Sequence, residues 1–163
     1  MKNVLKRIFS MLIAVICCVP LLLFGACDGG GNGNVDKVQA FYDKVVESQQ
    51  CLDSVADDIY SYWYDAIYED KYNGDINTAI LYAQLDNSEN LAKIEANDSE
   101  IQSLYKEVRD SDFSTEIKAV MSAYSDYYEF VVNVSGSFKS YSADKETLKK
   151  ELASALKDLA LEI

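Results

Sequence analysis

The chain has 163 residues, with 15 Lys and Arg against 27 Asp and Glu, no His, one Pro and four Cys. That length suits one domain, and the absence of imidazole excludes His-ligated zinc, haem and di-iron sites and any mechanism with His as general base. The acidic balance repels polyanions, so direct nucleic-acid binding is not expected.

Taken in chain order, Met1 to Ser10 carries Lys2, Lys6 and Arg7 and no acid, and Ile8 to Ala26 is an apolar run broken only by Ser10 and Pro20. A basic flank followed by an apolar stretch is the order of a secretory signal. The run ends in Leu23-Phe24-Gly25-Ala26-Cys27, and Asp28-Gly29-Gly30-Gly31-Asn32-Gly33-Asn34 follows as a polar, Gly-rich tether that cannot bury anything. Small residues immediately before a Cys resemble the lipobox of bacterial lipoprotein precursors, with Phe24 standing where that family usually has an aliphatic residue. The resemblance covers residues 1–27 alone. It implies that residues 1–26 are a cleaved signal peptide and that the Cys27 thiol carries a diacylglycerol. The chain would then sit, lipid-anchored, on the outer face of the bacterial cytoplasmic membrane or cell envelope. The alternative is an uncleaved single-span anchor, which also places the rest of the chain outside the cytoplasm.

Cys17 and Cys18 fall in the apolar run, so after cleavage and lipidation Cys51 is the one remaining thiol and no internal disulfide is available. Cys51 is expected on a helix surface or shoulder. Residues 1–26 hold three cations and no anion, so the remaining 12 cations against 27 anions give a formal charge of −15. Such a surface suits solubility or a cationic partner.

From Val35 to Ile163 apolar residues return three and four apart, the period of an amphipathic helix. The stripe Val38, Tyr42, Val45, Gln49, Leu52, Ala56, Ile59, Trp63 and Ala66, widened by Phe41, Val55 and Ile67 on the core side, predicts a first helix over 36–72, on the order of 55 Å long. Gly74 then suits a left-handed stop and Asp75 an N-cap. A second helix is expected over 75–110, kinked near Asn97, where Asn97-Asp98-Ser99-Glu100 resembles a capping box. The third runs from Phe113 through Ile117, Val120, Tyr124, Tyr127, Val131, Val134 and Phe138 to Tyr141. A shorter fourth starts near Ser142 and carries Leu148, Leu152, Leu156, Leu159 and Ile163. The expected domain, 35–163, is an all-α, antiparallel bundle of three long helices plus a shorter fourth.

Tyr60, Tyr64, Tyr68 and Tyr72 are spaced by four, which predicts an aromatic stripe on one side of the first helix, with Asp65 and Glu69 beside it. Tyrosine joins an apolar ring to a polar tip and is favoured as an interface anchor, and acid beside aromatic rings suits a cationic ligand. These six residues are the candidate binding surface; the alternative is that the rings pack against neighbouring helices. A second group, Tyr124, Tyr127, Tyr128 and Phe130 with Asp126 and Glu129, is expected to pack in the core, or to line a pocket if the two groups meet. No metal site is expected: an EF-hand register on Gly74 puts Lys71 third and Ile80 twelfth, where ligands are required. No G-x-S-x-G, S-x-x-K or phosphate loop is present, so no catalytic residue and no cofactor other than the lipid on Cys27 is expected. The sequence thus points to a non-enzymatic binding module for an envelope or extracellular protein or peptide. Two other expectations stay open, a structural spacer or subunit of an envelope assembly and a small-ligand-binding bundle.

Overall fold

Alternating ion pairs and apolar layers set the register of the helices. The computed structural model describes residues 33–163, which are all-helical: α1 Gly33–Tyr68, α2 Ile76–Asp86, α3 Ser88–Val108, α4 Ser114–Val132 and α5 Phe138–Glu162. The signal segment, Cys27 and the tether as far as Asn32 lie outside the described residues; Gly33 and Asn34, expected in the tether, belong to the first turn of α1. Lys37 pairs with Glu107, Lys44 with Glu100 and Lys93 with Glu47, so α3 runs antiparallel to α1. Lys149 with Asp53 and Lys145 with Asp57 give the same relation for α5. Tyr124 beside Ser48 and Tyr127 beside Asp53 show that α4 runs parallel to α1. The path is therefore up, down, up, down, with α2 and α3 sharing the second passage.

The core is the predicted stripe of α1 (Val38, Val45, Leu52, Ala56, Ile59 and Trp63, joined by Phe41 and Val55) against Ile94, Ile101 and Val108 of α3, Ile117, Val120, Tyr124, Tyr127 and Val131 of α4, and Tyr141, Leu152 and Leu159 of α5. Cys51 belongs to this core and not to a helix shoulder. Burial pushes its thiol pKa up, which holds the group in its unreactive form.

Four helix limits differ from those the periodicity predicts. α1 ends at Tyr68 rather than at residue 72, because Asp70, Tyr72, Asn73 and Gly74 all take positive φ, from 51° to 71°. Tyr72 continues the i+4 spacing, so the pattern runs past the stop. The second passage bends at Asn87 and not at Asn97. Asn87 is buried, and its side-chain amide donates to Asp58 on α1 (2.7 Å) and to the carbonyl of Ala83 (3.0 Å). At Asn97 the helix continues, because Ile94 and Ile101 are both buried and Glu100 reaches across to Lys44 instead of back to a cap. The third helix stops at Val132, not Tyr141. Gly136 (φ 88°) turns the chain and Ser137 forms a reciprocal capping box with Ser140, which starts α5 at Phe138. The last helix therefore has 25 residues and α4 has 19, so the expected length order of these two is reversed.

Candidate binding surface

The ends of α1 and α2 furnish the candidate surface. Asp75 caps α2, its carboxylate accepting from the backbone N–H of Asn77 and Thr78 and from the Thr78 hydroxyl. These bonds hold its pKa below the usual carboxylate value, the Thr78 side chain contributing most. The turn before it folds Lys71 back on Asp65 at 2.6 Å, which raises the Lys71 pKa.

The four tyrosines of the predicted stripe part into two groups. Tyr60 stacks on Phe138 of α5 with ring centroids 5.1 Å apart, and the Lys145 ammonium lies 4.7 Å from its ring centre. Tyr64 and Tyr68 pack on each other at 4.7 Å and touch the edge of Phe138. They remain 40 % and 60 % exposed. Tyr72 lies past the end of α1 and takes the other side, stacking on Tyr62 (5.7 Å) and meeting Tyr82 of α2 (5.8 Å). Tyr62 donates its hydroxyl to Asp86, a bond that pushes the Tyr62 pKa up to about 12. Asp65 is engaged by Lys71, while Glu69 and Asp70 are exposed and in no ion pair among the described residues.

The second aromatic group reaches the first through the intervening rings of Tyr141, Trp63 and Phe138. Phe130 stacks on Tyr141 at 4.6 Å, Tyr141 lies 5.4 Å from Trp63 and Trp63 6.0 Å from Phe138. These rings fill the contact, so packing takes the place of the pocket considered above. A cleft of about 380 Å³ opens elsewhere, between α3 and α4, lined by Leu91, Ala92, Ile94, Glu95, Tyr128 and Val132.

Charged groups on the inner flank satisfy one another. Tyr127 donates to Asp53 at 2.8 Å, Lys149 pairs with Asp53 at 3.1 Å, and the buried Lys145 pairs with Asp57. With its donors and acceptors already matched, this network braces α5 on α1 rather than presenting a free nucleophile. No group of three or more His, Cys, Asp or Glu able to hold a metal ion occurs among the described residues.

No protein-family model, curated protein or solved structure matches the chain. Sequence periodicity misassigned Ile67, expected toward the core but placed outside because α1 ends one residue later, and missed Leu81, Tyr82 and Leu85; the four are 42 to 57 % exposed. The available signal was the composition of Ala79-Ile80-Leu81-Tyr82-Ala83-Gln84-Leu85, apolar on every side of a helix. A short helix of that kind is buried all round or carries an apolar face with no intramolecular partner. Here Ala79 and Ala83 face inward with Ile80 half-buried beside them, and Leu81, Tyr82 and Leu85 are left outside.

Proposed function

We propose that the chain is a bacterial surface lipoprotein, held at the outer face of the cytoplasmic membrane or in the cell envelope by a diacylglycerol on Cys27. Its acidic helical bundle acts without catalysis, by binding an envelope or extracellular protein or peptide. One observation carries the binding role: Tyr64, Ile67 and Tyr68 stand exposed beside the free carboxylates of Glu69 and Asp70. They lie about 50 Å of helix away from Gly33, where the tether joins. A surface meant only to be solvated gains nothing from aromatic rings there, whereas an interface gains most from Tyr. The bilayer is thus reached through Cys27 and a cationic or aromatic-binding protein through the far end. Among the described residues no helix is long and apolar enough to cross a membrane.

The test is cross-linking in intact cells with a photoreactive amino acid at position 68, set against a control at Ala153 on the exposed side of α5. A discrete adduct at 68, absent at 153 and lost when Tyr64 and Ile67 are both changed to Ser, is the expected result. Identical patterns at the two positions, or no adduct at 68, would leave the bundle as a spacer and contradict the binding role.

A further inference from the structure

α2 reverses the usual order of an amphipathic surface helix. Its small residues Ala79 and Ala83 are fully buried on α1, while Leu81 and Leu85, one turn apart on the opposite side, are 54 % and 57 % exposed with Tyr82 beside them. Among the described residues α2 packs only on α1, the turn that precedes it and α3, so α4 and α5 leave this face open. Two apolar side chains at i and i+4 with an aromatic neighbour form the spacing by which one helix grips another.

The rim of the face selects among occupants. From Tyr72 to Ala92 the chain carries Asp75, Asp86 and Glu89 and no cation. The cations on either side are engaged, Lys71 by Asp65 and Lys93 by Glu47. A second copy of this chain would set acidic rim against acidic rim, in a protein whose formal charge is already −12, and an anionic lipid surface meets the same repulsion. A segment with an apolar stripe and Lys or Arg on its flanks meets neither.

We propose that the outer face of α2 docks a basic amphipathic helix of a partner protein, its apolar side on Leu81, Tyr82 and Leu85 and its cations toward Asp86 and Glu89. The inference rests on the reading of the chain as a binding module and assigns it a face other than the α1 stripe.

The experiment uses the full chain in phosphatidylcholine vesicles, with empty vesicles as blank, and two labelled helical peptides that share one leucine stripe but carry Lys or Glu on the polar side. Co-flotation measures binding, and circular dichroism verifies that the variants remain helical. The Lys peptide is expected to bind, the Glu peptide to bind about tenfold more weakly or worse, and Leu81→Ser with Leu85→Ser to weaken the Lys peptide by about tenfold or more. Leu161→Ser, at an exposed leucine of α5 outside both surfaces, is expected to leave it unchanged. Equal binding by the leucine variant, equal binding of the two peptides, or no binding of either overturns the assignment. So does Leu81-dependent cross-linking between copies without peptide, which makes a second copy the occupant. Loss of the Lys peptide on changing Tyr64 and Tyr68 to Ser, with the leucine variant binding normally, moves the site to the α1 stripe and overturns the α2 assignment while the binding-module reading stands, and cross-linking at position 68 decides that reading independently.

Discussion

Replacing Trp63 by Ala is expected to lower the unfolding free energy by about 3–5 kcal/mol, whereas Tyr64→Ala and Tyr68→Ala cost about 1 kcal/mol or less each. All three residues lie within six positions on α1. Trp63 is 4 % exposed and wedged between Phe138 and Tyr141. Its removal opens a cavity where α1, α5 and the end of α4 converge, and close-packed neighbours relax only partly into such a space. The indole N–H has no hydrogen-bond partner among the described residues, so the contribution of Trp63 is packing and not polar. Tyr64 and Tyr68 already face water over much of their area, and their loss uncovers only parts of the Phe138 and Tyr60 rings. Urea unfolding followed by circular dichroism, with an unchanged denaturant slope, separates the two cases. A loss of several kcal/mol in the tyrosine variants would make the stripe part of the core and remove the candidate surface.

Alkali is expected to unfold the bundle steeply. Tyr124, Tyr127 and Tyr141, three of the twelve tyrosines, are essentially without solvent contact. Burial drives the pKa of each far above the ordinary tyrosine value, and hydrogen bonding of Tyr127 to Asp53 adds to its shift. The folded state thus keeps these phenols protonated while the unfolded chain releases their protons near pH 10. Their stabilising effect is fully present below that pH and is lost as the pH climbs toward the folded values. Each group contributes a slope of about 1.4 kcal/mol per pH unit, so three remove about 4 kcal/mol per unit above pH 10. For ordinary domain stabilities of about 5–15 kcal/mol, unfolding falls roughly between pH 11 and 14. Lys44 and Lys93, whose pKa values are raised chiefly by their hydrogen bonds to Glu47, act in the same direction. The phenolate absorbance is expected to rise in two phases, exposed rings first and these three in step with loss of helicity. Tyr124→Phe is expected to reduce the slope by about a third. Titration of all twelve before any helix is lost would contradict the packing of α4 and α5.

The helical class and the core stripe were legible because burial of one face imposes a 3.6-residue period that α1 keeps from Val38 to Trp63. The limits were less legible, since the same period runs through breaks made by single residues. Tyr72 and Phe138 both continue a stripe, yet each lies across a chain reversal, made by left-handed residues 72–74 and by Gly136. Asn87 and Asn97 are two buried amides in α3 and its preceding turn, and the sequence does not distinguish the one that grips Asp58 and bends the chain from the one the helix passes through. At the candidate surface the period identified Tyr64 and Tyr68 but not Leu81 and Leu85. Which side of an all-apolar helix turns inward is decided by close approach to α1, and the alanines win that contest. Cys51, expected at a helix shoulder, lies in the core for a related reason: a small side chain at the border of the stripe fits inside it.

Intact mass spectrometry of the membrane-extracted protein, wild type beside Cys27→Ala, tests the proposed display of the bundle on a lipid anchor. A wild-type mass lacking residues 1–26 and carrying acyl chains, with the variant unprocessed, is the expected result. An uncleaved, unlipidated mass in both would make the chain a single-span anchored protein and contradict it.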